Sequence, residues 1–258
     1  MHALLNIALR AARDGASVLT GHFDRPDRVR ILETRGSELI TTAHQDVEKT
    51  LLYHLQKIYP QYGYHSSATQ LPESGTTSNV WFLHPLIGTA NFLRGTQGFL
   101  LGLSCQVDGQ LQISVFIDPL LNEEFTAIRG SGASLNGRRI RVSSRINLED
   151  STCAMEFAPG QEPGTQTRPL QQALEQQVRI RTTGNGILDL AMASAGRLDG
   201  GIIPKPPADQ LASVALLLRE AGGLVSDIEG NPKLAGDQLV FGNPKYFKQL
   251  LQLARQPR

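Results

Sequence analysis

The side chains able to do chemistry are sparsely patterned in this chain. Cys105 and Cys153 are its two cysteines. Without a CxxC spacing they build neither a disulfide framework nor a thiolate zinc site. Cys105 falls in an apolar stretch and reads as a core residue. No Ser-His-Asp or Cys-His order sits in the context that a nucleophile needs. Asp and Glu number 24, so metal sites built from carboxylates stay open. Gly88-Thr89 could present backbone N–H groups to a phosphate or sulfate at a helix start. Arginines gather loosely at Arg10, Arg13, Arg25, Arg28, Arg30 and Arg35, and again at Arg138, Arg139, Arg141 and Arg145. Interspersed acids make both sets read as solvated surface, the second being the better match for an acidic partner. Lys plus Arg is 25 against 24 acids, a net charge of +1. That balance argues against a broad nucleic-acid face.

The elements that would carry these residues follow from periodicity. With 258 residues, 40% hydrophobic and 19% charged, the chain can bury a core as one large domain or two moderate ones. Leu4, Leu5, Ala8, Ala11, Ala12 and Leu19 place a helix over residues 3–20. The segment MHALLNIALRAAR reads as the start of that helix and not as a signal peptide, which with the cysteine usage implies a cytoplasmic protein. A second helix is expected from about Asp46 to Tyr59, ended by Pro60. The segment from Arg25 to His44 reads as polar, and Gln61–Asn79 as loop. Val80–Leu83 is a short strand running into His84-Pro85, followed by strands at Phe99–Val107, Leu111–Ile117 and Glu124–Ile128. Asp108-Gly109, Asp118-Pro119 and Asn136-Gly137 mark turns. The polar stretch 158–177 is a plausible junction between an N-terminal half, about 1–157, and a C-terminal half, about 178–258. Beyond it come a strand (Val178–Thr182), a helix (Ile187–Ala195) that Gly184-Asn185-Gly186 would cap, and a strand near Gly201–Ile203. A helix at Ala208–Glu220 stopped by Gly222-Gly223, a strand at Leu239–Phe241 and a helix at Tyr246–Ala254 complete the chain.

Several segments together resemble the inositol monophosphatase family, its bacterial SuhB branch in particular. They are Trp81-Phe82-Leu83-His84-Pro85-Leu86-Ile87-Gly88-Thr89-Ala90-Asn91-Phe92, Asp118-Pro119-Leu120-Leu121-Asn122-Glu123-Glu124-Phe125 and Arg129-Gly130-Ser131-Gly132 through Asn136-Gly137. Later come Leu188-Asp189-Leu190-Ala191, Ala195-Gly196-Arg197-Leu198-Asp199-Gly200, Leu218-Arg219-Glu220-Ala221-Gly222-Gly223 and Gly242-Asn243-Pro244. The resemblance runs in order over nearly the whole chain. It implies a single α/β domain over 1–258, a layered α/β/α/β/α sandwich, with a homodimer in many members. It also implies Mg²⁺-dependent hydrolysis of phosphate monoesters. Such chemistry needs carboxylates converging on hard cations, which screen the anionic phosphate and acidify water.

The positions that the resemblance assigns to those carboxylates hold other residues. The Glu-Glu pair falls on Ser67 and Ala68. The Asp-Pro-Leu-Asp-Gly-Thr turn reads His84-Pro85-Leu86-Ile87-Gly88-Thr89, keeping the frame and losing both acids. The Trp-Asp pair falls on Asp209 and Gln210, the water-activating Asp on His44, and a substrate-contacting Glu on Ile203. Three routes could restore a site: a one-residue slip that brings in Asp209, a swing of Glu73, or a transition metal held by His44 and His84. Thr41 and Thr89 could partner His44 as a packed remnant. Asp118, Asp189, Arg197 and Asp199 match frame residues and are expected in turns and buried ion pairs.

The expectation is therefore a vestigial pocket of His44, Ser67, Ala68, His84, Ile87, Gly88, Thr89, Ile203, Asp209 and Gln210, with no metal and no catalytic residue. The implied function is a degenerate phosphatase kept for binding. Resemblance alone adds a homodimer and a protein partner such as RNA polymerase or the Nus factors. The alternatives are a weak metal-dependent phosphatase on inositol or sugar phosphates, and a structural subunit of an active paralogue.

Overall fold

The structure, a computed structural model, describes residues 1–35, 38–71, 77–157 and 163–255. The chain divides into two compact units, Met1–Arg138 and Arg139–Arg258.

In the first unit α1 (His2–Phe23) buries Leu4, Ala8, Ala11, Ala12, Ala16 and Leu19 on one stripe. A short 3₁₀ turn (Pro26–Arg28) leads to β1 (Ile31–Arg35) and β2 (Glu38–Thr41), an antiparallel pair inside the segment that reads as merely polar. The second helix, α2 (Thr42–Ile58), begins at Thr42 and not at Asp46, because Thr41 caps it. Its Val47, Leu51 and Leu55 join the stripe of α1 in one core. Then come β3 (Gly63–Ser66), β4 (Val80–Ile87), α3 (Thr89–Leu93), β5 (Leu100–Val107), β6 (Gln110–Asp118), β7 (Glu123–Ile128), β8 (Gly132–Leu135) and β9 (Arg138–Ile140), which begins at the last residue of this unit. They form a seven-stranded sheet in the order β3-β4-β5-β6-β7-β8-β9. Asp108-Gly109 and Asn136-Gly137 both have positive φ at two successive residues, the condition for tight hairpin turns. Trp81, Leu83, Leu101, Leu103, Ile113, Val115 and Ile117 meet the helices, which makes this unit one helical layer on one sheet face.

The second unit holds β10 (Thr152–Met155), α4 (Pro163–Glu175), β11 (Arg179–Arg181), α5 (Gly186–Ser194), β12 (Gly200–Pro204), α6 (Ala208–Glu220), β13 (Leu224–Asp227), β14 (Gln238–Gly242) and α7 (Phe247–Ala254). Its sheet is ordered β11-β10-β12-β14-β13. The described part of the polar segment, 163–177, lies within this unit and carries α4, and β10 pairs with β11 and β12. Ile202 joins Leu250 and Phe247 of α7 in one core, while Ile203 meets Gly186 of α5. Neighbouring strand residues point to opposite faces, so helices cover both sides of this sheet. The first unit is thus a helical layer on a sheet and the second a sheet between helices, as an α/β fold requires. No helix among the described residues is long and apolar enough to cross a membrane.

Candidate functional site

In the first unit β4 continues through His84-Pro85 to Ile87, where the sequence suggests a turn. The continuation is possible because the pairing with β5 shifts register between His84 and Ile87. Pro85 has no N–H to give to a ladder, and such residues are tolerated at bulges. The shift also changes which side chains face the helices. Trp81, Leu83 and then Leu86 join the helix-side core, a step of three where regular alternation needs two. His84 stands opposite Gly102, in a cross-strand row that continues to Phe116 and Phe125. It is fully buried. Ile87 is 5% exposed, and its Cδ1 lies 3.1 Å from where a Cβ would stand on Gly102. Phe116 approaches the same point to 2.9 Å. The isoleucine therefore fills the hollow over a glycine with hydrocarbon.

His44 is the third residue of α2 and completes a capping box with Thr41. The Thr41 N–H donates to His44 Nδ1 at 3.1 Å, and the Thr41 hydroxyl also lies 3.0 Å from that nitrogen. An accepting Nδ1 puts the ring hydrogen on Nε2 in the neutral tautomer. Nε2 serves the Leu86 backbone and lies 3.4 Å from the Thr89 hydroxyl. Burial pushes the imidazole down to about 4, against a smaller upward pull from the Leu86 hydrogen bond. His44 is thus a neutral capping residue whose Nδ1 lone pair is already engaged.

Ser67 and Ala68 follow β3. The Ser67 N–H donates to the Leu83 carbonyl at 3.0 Å and the Ala68 N–H to Ser66 Oγ at 3.1 Å. A carboxylate does reach this segment, from α2. Glu48 is buried, accepts the Thr69 hydroxyl at 2.6 Å and takes a short hydrogen bond from the Ser66 hydroxyl. Both of its oxygens are occupied in bracing the segment. Gly88 has φ +89° and precedes α3, a helix of only five residues. The Glu73 route lies outside the described residues.

In the second unit Ile203 is buried, with its Cδ1 against Gly186. Gln210 is buried in the first turn of α6, whereas Asp209 is half-buried. Of the two, the glutamine is the inward residue of this turn. Asn185 caps α5 through Oδ1, which accepts from the Ile187 and Leu188 N–H groups at 3.2 and 3.4 Å. Asp199 Oδ2 accepts the Thr152 N–H at 2.7 Å and Asp118 Oδ1 accepts those of Leu120 and Leu121, both turn or frame roles. Asp189 departs from the ion pair expected of it. It is 0% exposed, and the group it meets is a second carboxyl, Glu156. Burial first, and the Glu156 charge second, push Asp189 up to about 8. Both cysteines are buried, and burial raises Cys105 to about 12 and Cys153 to about 11, as suits inert core thiols.

The donor set does not fit the magnesium that the resemblance implies. Mg²⁺ is held by oxygen ligands in near-octahedral geometry and gives up water reluctantly. In the first unit its expected ligand positions offer a serine hydroxyl, a methyl, two histidines and an isoleucine in the core. In the second they offer the neutral amide of Gln210. The zinc alternative fails on a different point, since His44 accepts at Nδ1 and donates from Nε2. No group of three or more His, Cys, Asp or Glu able to hold a metal occurs among the described residues.

Sequence reasoning missed Glu48 and Glu156. Glu48 stands four residues after His44, on one helix face, and beside the Val47–Leu51 stripe. That signal was hidden once the helix was started at Asp46. Glu156 carries no local signal, because its partners come from Thr183 and Asp189.

Comparison with known proteins places these features. The family model described as the inositol monophosphatase family matches residues 1–257. The Nus factor SuhB of Escherichia coli (strain K12) is 36% identical over 261 residues, covering 97% of this chain and 95% of that protein. The Nus factor SuhB of Pseudomonas aeruginosa is 36% identical over 258 residues, with the same coverage of 97% and 95%. Among solved structures, the extragenic suppressor protein suhB from Bartonella henselae superposes with a TM-score of 0.92 at 28% identity, covering 99% of this chain and 100% of that one.

Proposed function

This chain belongs to the inositol monophosphatase family, and within it we propose a SuhB-like binding protein that has given up phosphate hydrolysis. The observation that carries this reading is Ile87. It occupies a metal-ligand position of the resemblance and lies in the core against Gly102 and Phe116. A hydrocarbon side chain there offers no ligand and fills the volume beside His84. The engaged ring nitrogens of His44 and the neutral Gln210 support the same view. His44, Ser67, Ala68, His84, Ile87, Gly88 and Thr89 in the first unit, and Ile203, Asp209 and Gln210 in the second, are then vestiges of the family's site positions, and no cofactor is required. The relatives called Nus factor SuhB point to a partner in the transcription machinery, RNA polymerase or another Nus factor. A cytoplasmic homodimer is the form in which we expect it to act.

The test is Mg²⁺-dependent release of phosphate from inositol and sugar phosphates, run beside an active relative. No release above the metal-free blank is expected. Release that rises with Mg²⁺ and disappears in His84→Ala would show a rearranged but working phosphatase. Restoring the acids together (Ser67→Glu, His84→Asp, Ile87→Asp, Gln210→Asp) should create Mg²⁺-dependent activity if only the ligands were lost. Co-purification with an active paralogue would instead support a structural subunit.

A further inference from the structure

We propose that Glu156 and Asp189 form a proton-sharing latch that fastens the 183–185 turn to the end of β10, and that loss of the shared proton frees this turn.

The latch lies wholly in the second unit. Glu156 stands just past β10, and Asp189 in the first turn of α5. Glu156 Oε1 accepts the Thr183 N–H at 2.5 Å and the Gly184 N–H at 2.8 Å. The Thr183 hydroxyl lies 2.9 Å from Asp189 Oδ1 and 3.3 Å from Glu156 Oε1, so it touches both carboxyls. Asp189 Oδ2 is buried and no protein donor reaches it. The side chain with which Asp189 makes its remaining contact is Glu156, itself an acceptor. Two facing carboxylate oxygens can bond only through a proton.

The chemistry says which carboxyl holds it. Glu156 already accepts two backbone N–H donors, which makes it the acceptor of the pair. Asp189 is sealed from water, which favours the neutral acid. Its Oδ2–H then donates to Glu156 while its Oδ1 accepts from Thr183. The charged groups acting on Asp189 are Glu156 and the exposed Arg181 of β11, whose pull is the weaker. β12 brings Ile203 to α5 and has no charged residue, and α6 carries its charges at its ends, Asp209 and Arg219-Glu220. Without the proton, two anions would face each other in a buried space. Relief comes by letting the 183–185 turn move and water enter. Opening returns Asp189 toward an ordinary carboxyl, so each opening event releases one proton.

Amide hydrogen exchange of the full chain tests the proposal. Protection at Thr183 and Gly184, corrected for the intrinsic pH dependence of exchange, should fall by up to about tenfold per pH unit between about pH 5 and pH 8, as one released proton requires. Amides of the β12–β14 ladder should show no such slope. Asp189→Asn mimics the protonated acid and should make protection at Gly184 independent of pH. Should that variant fail to fold, Glu156→Gln removes the facing charge and should at least halve the logarithmic slope. Flat protection in the unaltered protein, or an undiminished slope in the folding variants, would overturn the latch. So would recovery of protection at pH 8 on adding Ca²⁺ or Mg²⁺, which would make the pair a cation site.

Discussion

At the scale of the residue, His44 shows how one position can be legible in type and illegible in role. Its place in the sequence, where the resemblance expects an acid, invites a catalytic or metal-binding reading. The ring instead completes a capping box, a part usually played by Glu or Gln. This has a consequence for stability. The folded protein holds His44 near 4 while an unfolded chain holds it near its ordinary 6.5. A depressed folded value means that the unfolded state takes up the proton first as pH falls. The stabilisation is therefore complete above about pH 6.5 and is lost as pH falls through about 4. The linked loss is on the order of 3 kcal/mol. Urea unfolding at pH 7 and pH 4 should register it. His44→Gln, which keeps the capping box without a titrating ring, should lose that share of the acid sensitivity. A variant with undiminished sensitivity would place the cause elsewhere. Glu48 carries a parallel lesson: its burial needed Ser66 and Thr69, which arrive from β3 and the segment after it.

At the scale of the element, β4 carries the candidate site of the first unit. The sequence shows its apolar start, Val80–Leu83, and stops there because His84-Pro85 looks like a break. The strand crosses that break by a shift of register, and the shift turns Leu86 toward the helices and Ile87 toward Gly102. The site positions are thus part of a packed sheet and not an exposed turn. Ile87→Val should then cost about 1 kcal/mol by cavity formation. Ile87→Asp, a charge placed in the same hydrocarbon, should cost about 3 kcal/mol or more. Chemical denaturation of the two variants checks both values. Near-equal, negligible losses would mean that the position is open to water. The helices were easier to read. α6 has the bounds that its stripe and its Gly222-Gly223 stop imply, since helical spacing and a left-handed glycine are local signals. β8, β9, β10 and β13 were missed because strands of three or four residues are held by their neighbours.

At the scale of the whole molecule, the family and the α/β fold were legible from ordered segments spread over the chain, and the match over residues 1–257 agrees. The proposed partner is a prediction at this scale. The purified protein should retain RNA polymerase or a Nus factor of its own organism on a column, and Mg²⁺ removal should not weaken the retention. Retention that depends on Mg²⁺ would contradict a binding role independent of the metal. The near-neutral total of 25 basic and 24 acidic residues says nothing of this. What matters is where the acids stand: Glu48 against two hydroxyls, Asp118 and Asp199 on backbone N–H groups, Asp189 against Glu156. The sequence by itself determined the family, the main helices and tight turns, and the identity of the residues at the positions that the resemblance assigns to ligands, because these depend on residue type and short-range spacing. Only the tertiary structure decided that Ile87 fills the hollow over Gly102, that His44 is a cap, and that two carboxyls meet at Thr183. Each of those facts joins residues far apart in the chain or turns on a one-residue shift of register, and neither is written in local periodicity.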